Sequence, residues 1–241
     1  MTREEELHPD LAACLDDSGH FPMVKHPLLF QKIHDARDRA RANSLYEKKK
    51  EEVREAIHRG DFGKYIALHE RPCRVQAILS YPKIVQVSDA EYWKEVSEVW
   101  QDSESVGQNR QEWEALWSSD RPEKHLAMSD EEREELANLP DPITVYRGCP
   151  ESGLDDNSLS WTLSRETAEW FARRYSLIFG PGAVLEGQVR KSDVHVLLLG
   201  RDEQEIISSR VITTGSRRVV DDYRLPETCG KQRADEARSN V

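Results

Sequence analysis

The pattern of apolar and polar residues changes at Pro140-Asp141-Pro142-Ile143-Thr144-Val145-Tyr146-Arg147. Two prolines this close together cannot continue a helix, because proline lacks an amide donor and restricts the residue before it. Apolar and polar side chains then alternate from Ile143 to Arg147, as they do in a strand with one buried face. We therefore predict a boundary at Pro140, with a helical region before it and a strand-rich region after it.

The region before the boundary carries the signals of several amphipathic helices. Residues 27–59 have no internal glycine or proline, which predicts one long helix or two in tandem. The apolar residues that recur there at helical spacing are Leu29, Ile33, Ala36 and Ala40. Ser88 and Ser129 each stand three residues before a glutamate, the spacing of a helix capping box. Further along, Trp113 and Trp117 lie one turn apart, and we expect them in the core.

The region after the boundary is predicted to contain short strands and one helix. The predicted strands are Ile143–Arg147, Leu159–Leu163, Ala183–Val189, Val194–Leu199, Glu205–Ile207 and Val211–Thr214. Ser164 can cap the helix, whose expected buried stripe is Ala168, Phe171, Ala172 and Tyr175. From Leu225 the chain is polar, so we expect a flexible tail over 225–241. The predicted fold class is α+β, with a helical region at 1–139 and a strand-rich domain at 140–224.

Composition limits the functions that fit. The chain has 241 residues, and 34 basic against 45 acidic residues give a formal charge of −11, which disfavours non-specific binding to nucleic acid or to anionic membranes. The four cysteines include no Cys-x-x-Cys pair, so we expect neither a metal site nor a disulfide framework. An acidic beginning without an apolar segment, and no run near the roughly 20 residues that span a bilayer, predict a cytoplasmic protein.

A pair of carboxylates follows the predicted strand at Val194–Leu199. If residues 203–207 are extended, Glu203 and Glu205 point to the same side, because side chains two apart share a face of a strand. Two adjacent carboxylates repel each other unless they meet a cation or a substrate. The pair is therefore either a solvated strand end or a site that stabilises positive charge and moves protons.

Three motifs in the strand-rich region occur in an order that suggests a family. They are Tyr146-Arg147-Gly148, Ser160-Trp161-Thr162 and Glu203-Gln204-Glu205. This order resembles the arginine-serine-glutamate class of mono-ADP-ribosyltransferases, over roughly residues 140–220. More loosely, the chain is similar to uncharacterised bacterial and phage-borne proteins of this class, which are toxin-like or effector-like. The resemblance implies a mixed, mainly antiparallel β-sandwich core that binds NAD.

The resemblance also implies a role for each motif residue. Glu205 would be the catalytic carboxylate, which bonds the ribose 2′-hydroxyl and stabilises the cation formed when nicotinamide leaves. Ser160 would orient Glu205, and Glu203 would orient an incoming arginine side chain and help remove its proton. Arg147 would hold a phosphate of NAD. The backbone of Gly148 would approach the nicotinamide amide.

Further residues of this class of site are expected on and beside the helix. Thr162 closes the serine motif, and the resemblance implies that Phe171 and Arg174 flank the nicotinamide and a phosphate. Plain alternatives remain: Phe171 belongs to the predicted apolar stripe, and Arg173 competes with Arg174. Ser160 and Thr162 can both be ordinary strand residues. For Arg147 the alternative is a buried ion pair with a structural carboxylate.

The implied activity is transfer of ADP-ribose from NAD to a protein, with arginine as the expected acceptor. Only Gly200, Arg201 and Asp202 separate the apolar strand from Glu203, so little chain remains there to recognise a target. Hydrolysis of NAD is the enzymatic alternative. A non-catalytic protein, whose helices bind a partner and whose strands are only a scaffold, is the alternative of a different class. The helical region would form one wall of the NAD cleft or a surface that docks the target.

Overall fold

The computed structural model describes residues 6–103, 106–154, 158–200 and 203–219. The chain divides into two compact units: Met1–Leu139 with Val194–Gly200, and Pro140–Asp193 with Arg201–Val241. Both helices and antiparallel sheets are present, so the fold class is α+β. No helix in the described ranges is long and apolar enough to cross a membrane.

The first unit is mainly helical in its described part. Its α-helices are α1 (Pro9–Ala12), α2 (Ala36–Arg59), α3 (Phe62–Ala67), α4 (Arg74–Ser80), α5 (Asp89–Asp102), α6 (Arg110–Trp117) and α7 (Asp130–Asn138). The caps form where the sequence predicted them: the Ser88 side chain accepts from the Glu91 amide, and Ser129 with Glu132 forms a complete capping box. These contacts satisfy amide donors that the first turn of a helix leaves open.

The prediction of helix throughout residues 27–59 is wrong at its beginning. Three short strands, β1 (Leu15–Asp16), β2 (Met23–His26) and β3 (Leu29–Lys32), form an antiparallel sheet there. Leu29 and Ile33 are buried with this sheet, so their spacing reflects a shared core and not one helical face. The helix begins only after Asp35, whose side chain accepts from the amides of Arg37 and Asp38.

Tryptophans fill the core of the first unit. Trp93, Trp100, Trp113 and Trp117 are each at most 1% exposed. The ring of Trp100 meets those of Trp113 and Trp117 edge to face, at centroid distances of 5.0 and 5.8 Å. Aromatic pairs favour this geometry, because the positive edge of one ring faces the negative face of the other. The expectation that Trp113 and Trp117 are core residues is confirmed.

The segment Val194–Gly200 belongs with the helical unit, although the sequence placed it among the strands of the other region. Its strand, β7, spans Val196–Leu198. The Leu199 amide donates to Oε1 of Glu132 at 2.8 Å, and the Leu197 amide lies 3.2 Å from Sδ of Met128. The same Glu132 side chain caps α7, so one carboxylate ties this segment to the start of a helix.

The second unit has one sheet and one long helix among its described residues. The strands are β4 (Ile143–Pro150), β5 (Ser160–Thr162), β6 (Gly182–Val189), β8 (Glu205–Ile207) and β9 (Ile212–Val219). They pair antiparallel in the order β8-β5-β4-β6-β9. A sandwich would need two packed sheets, whereas these strands form a single one. The prediction of an antiparallel arrangement is confirmed, and the sandwich is not seen in the described part of this unit.

Helix α8 (Arg165–Phe179) packs on one face of this sheet. Two glycines permit the close approach: a Cβ on Gly148 would lie 2.0 Å from the Ala168 carbonyl oxygen, and one on Gly182 would lie 2.2 Å from that of Ala172. Ala168 and Ala172 are fully buried, as the sequence predicted. Phe171 is only partly buried, as is Tyr175, so the predicted stripe is narrower than expected.

The C-terminal end of α8 exposes apolar side chains. Leu177, Ile178 and Phe179 are all more than half exposed.

The flexible tail predicted for 225–241 lies outside the described residues.

A stability prediction follows from Glu95, which is half-buried on α5 beside Gly63. Burial, with smaller contributions from Glu98 and other acidic neighbours, raises the pKa of its carboxyl. The folded state therefore keeps this proton at a higher pH than the unfolded chain, and stability falls as pH rises from the ordinary pKa of glutamate through the raised one. We expect Glu95→Gln to stabilise the protein more at about pH 7 than at about pH 4. Thermal unfolding of both proteins at the two pH values measures this, and equal differences would contradict it.

Candidate functional site

The predicted serine and glutamate motifs come together on neighbouring strands of the second unit. Strand β5 pairs with β8, and Thr162 lies directly opposite Glu205. Tyr146 of β4 lies opposite Thr162 on the other side. Because paired residues of an antiparallel sheet point to the same side, Ser160, Thr162 and Glu205 share one face. The sequence placed these residues on strands, and the register shows that two of the three motifs meet.

Ser160 and Glu205 are joined by a hydrogen bond, in which Oγ of Ser160 donates to Oε1 of Glu205. Glu205 is a buried residue, 9% exposed, so its carboxylate is held largely away from solvent. A buried carboxylate needs hydrogen-bond donors to offset the loss of its hydration, and the serine hydroxyl is one such donor. This contact fixes the direction of the carboxylate with respect to β5.

Arg147, the arginine of the first motif, contacts the main chain of β5. Its Nη1 donates to the carbonyl oxygen of Ser160 at 3.3 Å. Strand alternation alone would put Arg147 on the sheet face opposite Gly148, whose missing Cβ faces α8. The guanidinium therefore meets β5 at a main-chain atom, the carbonyl oxygen of Ser160.

Thr162 connects the site to the two elements that flank it. Its Oγ1 donates to the carbonyl oxygen of Glu203 at 2.5 Å and accepts from the Ser164 amide at 3.0 Å. Ser164 in turn caps α8 through the Thr167 amide, as the sequence predicted. The threonine hydroxyl thus contacts both the segment that leads into β8, at Glu203, and the residue that caps α8, Ser164.

The two carboxylates do not lie on one regular strand. Strand β8 begins at Glu205, and Gln204 has φ of 46°, in the left-handed region. The predicted strand Glu205–Ile207 is confirmed, whereas the condition that residues 203–207 are extended throughout is not met at Gln204. Glu203 is half-buried, and its direction is not given by the two-residue alternation that we applied to it.

Three further predicted site residues lie on α8 or against it: Gly148, Phe171 and Arg174. A Cβ on Gly148 would lie 2.9 Å from that of Phe171, so the bare backbone of this glycine accommodates α8. The ring of Phe171 contacts Trp170 at 4.9 Å between centroids. Arg174 is an exposed residue whose guanidinium lies 5.3 Å from the centroid of the Trp170 ring. Arg173 pairs with Glu169 at 3.3 Å. Roles for Gly148, Phe171 and Arg174 in binding NAD stay predictions.

Sequence reasoning missed the main-chain contacts that shape the site. The Leu163 amide donates to the carbonyl oxygen of Gln204 at 3.0 Å, and the Ser208 amide donates to that of Leu159 at 2.9 Å. These bonds extend the pairing of β5 and β8 beyond both ends of the strands. A glycine or asparagine at residue 204 would have indicated a left-handed residue, but glutamine gives no such signal.

No group of three or more histidine, cysteine, aspartate or glutamate side chains that could hold a metal ion is found within the described residues. Comparison with protein-family models, with curated proteins and with solved structures finds no match to this chain. A functional assignment therefore depends on the motifs and on the geometry of the site.

Proposed function

We propose that the protein is an NAD-dependent mono-ADP-ribosyltransferase that modifies a protein, with arginine as the acceptor side chain. The observation that carries this proposal is the bond from Ser160 to the buried Glu205, on strands that are adjacent in space but 45 residues apart in sequence. The motif resemblance requires this pair to meet. A chance occurrence of the motifs would not require it.

The reaction begins with cleavage of the bond between nicotinamide and the ribose C1′ of NAD. Nicotinamide leaves as a neutral molecule with the electron pair of that bond, and positive charge develops on the ribose. A fixed carboxylate stabilises this charge more in the transition state than in the ground state, which is the condition for catalysis. Glu205 supplies the carboxylate, and Ser160 keeps it in one direction.

The second step completes the transfer. A guanidinium nitrogen of the acceptor forms a bond to C1′ and gives up one proton. Because arginine is fully protonated at neutral pH, it is a poor nucleophile until a carboxylate orients it and accepts that proton. Glu203 is assigned this role. Hydrolysis shares the first step and replaces the guanidinium by water, which gives its proton to solvent.

The direct experiment is incubation of the protein with NAD that carries a label on its adenosine part. We expect release of free nicotinamide together with covalent labelling of a protein in a cell lysate, and mass spectrometry then maps the modified residue. Nicotinamide release without labelling would support hydrolysis. No release under any condition would leave a scaffold or interaction protein as the better description.

Arg147 gives a further test of NAD binding. We expect Arg147→Ala to weaken NAD binding by about tenfold, because a guanidinium donates charge-assisted hydrogen bonds to phosphate that alanine cannot replace. Calorimetric titration measures the affinity. Arg210→Ala is the matched control, since Arg210 is an exposed residue of the same unit that pairs with Asp193. If Arg147→Ala lowers the melting temperature but leaves the NAD affinity unchanged, the arginine only holds the main chain of β5.

A further inference from the structure

Gln204 has an unusual backbone conformation for its residue type. Within the described residues, Gln204 and Glu123 are the two non-glycine residues with positive φ, at 46° and 60°. A non-glycine residue in the left-handed region is strained, because its Cβ approaches the neighbouring carbonyl oxygen. Conformations of this kind persist only where surrounding contacts fix them, and they concentrate at functional sites.

Two hydrogen bonds from β5 and its extension fix the backbone around Gln204. The hydroxyl of Thr162 donates to the Glu203 carbonyl oxygen at 2.5 Å, and the Leu163 amide donates to the Gln204 carbonyl oxygen at 3.0 Å. Both partners belong to the segment that also presents Ser160. The contacts that hold Glu205 and those that hold residues 203 and 204 therefore come from one stretch of chain.

The left-handed backbone of Gln204 affects the relative directions of the Glu203 and Glu205 side chains. On a regular strand, Glu203 and Glu205 would point the same way and lie side by side. The left-handed residue between them interrupts that alternation, so the direction of Glu203 relative to Glu205 is set by the backbone of Gln204. The Gln204 side chain is exposed and free to vary without disturbing the core.

We propose that Gln204 is a positioning residue whose left-handed backbone aims Glu203 at the acceptor, and that it decides whether ADP-ribose passes to a guanidinium or to water. This inference rests on the proposed function. In transfer, the new bond joins a guanidinium nitrogen to C1′, nicotinamide departs with the electron pair, and the guanidinium proton passes to Glu203. If Glu203 is turned away, the proton has no acceptor there and water reacts at C1′ instead.

The test compares substitutions at residue 204 that differ in their tolerance of positive φ. Valine is branched at Cβ and strongly disfavours the left-handed region, whereas glycine adopts it at no steric cost. The acceptor probe is agmatine, a small amine that carries the same guanidinium as arginine and needs no protein docking surface. Nicotinamide release and modified agmatine are measured together, and their ratio gives the partition between transfer and hydrolysis.

We expect Gln204→Val to lower the ratio of transfer to hydrolysis by at least about tenfold, because a small misplacement of a catalytic group has large effects. Gln204→Gly is expected to keep the ratio within about threefold of the wild type, since it permits the same backbone. Recovery by glycine, which removes the glutamine side chain entirely, separates the role of the backbone from that of the amide.

Glu123→Val is the matched control. Glu123 has a similar positive φ but lies in the first unit, before the 3₁₀ turn Lys124–Ala127. We expect it to lower the melting temperature by a few degrees, as Gln204→Val does, without changing the partition. A loss of transfer in both variants would show that general destabilisation is responsible, and would overturn the inference.

The remaining outcomes separate this inference from the proposed function. If the wild type releases nicotinamide and modifies agmatine, but Gln204→Val has the wild-type ratio, the inference is wrong and the proposed function stands. If the wild type hydrolyses NAD without modifying agmatine, arginine is not the acceptor and the inference is wrong in its substrate. If the wild type does not cleave NAD, the proposed function fails and the inference fails with it.

Discussion

Glu205→Gln is expected to lower the rate of nicotinamide release by a factor on the order of 10² to 10³, with the NAD affinity within about threefold of the wild type. Glutamine has the same shape as glutamate and still offers an oxygen to the Ser160 hydroxyl, so the fold should remain. It lacks the negative charge that stabilises the developing ribose cation. The loss therefore falls on the transition state and not on the bound substrate.

The measurement is single-turnover nicotinamide release, with calorimetry for NAD affinity and thermal unfolding for stability. Glu186→Gln is the matched control, because this glutamate lies on β6 of the same unit and its side chain is about half exposed. Its Oε2 atom lies 3.7 Å from Nη1 of Arg165. We expect the control to keep its rate. A Glu205→Gln protein with the wild-type rate would remove Glu205 from catalysis and with it the basis of the proposed function.

The sequence predicted those features that depend on short-range chemistry. Ser129 caps α7 because its hydroxyl and the Glu132 carboxylate reach amide donors within one turn, which the spacing of the two residues already implies. Ser164 caps α8 in the same local way. Strands β4 and β6 were also predicted, because alternation and apolar content are properties of the strand itself.

Features that depend on distant contacts were not predictable from local patterns, and the contact between Ser160 and Glu205 was expected only through the family resemblance. Leu29 and Ile33 fit a helical repeat, but β3 pairs with β2, and the energy of that sheet overrides the local pattern. The same limit applies at Gln204, whose left-handed backbone is held by hydrogen bonds from Thr162 and Leu163, about 40 residues earlier. The side-chain pattern of residues 203–207 does not indicate that Thr162 and Leu163 bond to this segment.

This difference matters for the candidate site because strand geometry applies to only one of its two carboxylates. Glu205 lies on β8, where strand geometry applies, and the expected partner Ser160 is found bonded to it. Glu203 lies beyond the left-handed residue, where strand geometry does not apply. The structure thus brings the predicted partners of Glu205 together and leaves the role of Glu203 to a separate experiment.

Glu203→Gln should separate transfer from hydrolysis. The variant keeps Glu205, so cleavage of the nicotinamide bond retains its stabilising carboxylate. It loses the negative charge that orients a guanidinium and accepts its proton, and arginine, with a pKa above about 12, then reacts poorly. We expect transfer to agmatine to fall by at least about 10²-fold, while nicotinamide release falls far less, because removal of a general base costs about 10² to 10⁴.

Both products are measured in one reaction, with Glu151→Gln as a control carboxylate variant, since Glu151 is a partly buried residue of the same unit on the turn that follows β4. Equal losses of transfer and nicotinamide release in Glu203→Gln would assign Glu203 to NAD cleavage or to the fold. Retained transfer would show that the guanidinium loses its proton elsewhere. Only a selective loss of transfer fits the proposal that Glu205 stabilises the ribose cation while Glu203, aimed by the backbone of Gln204, serves the acceptor.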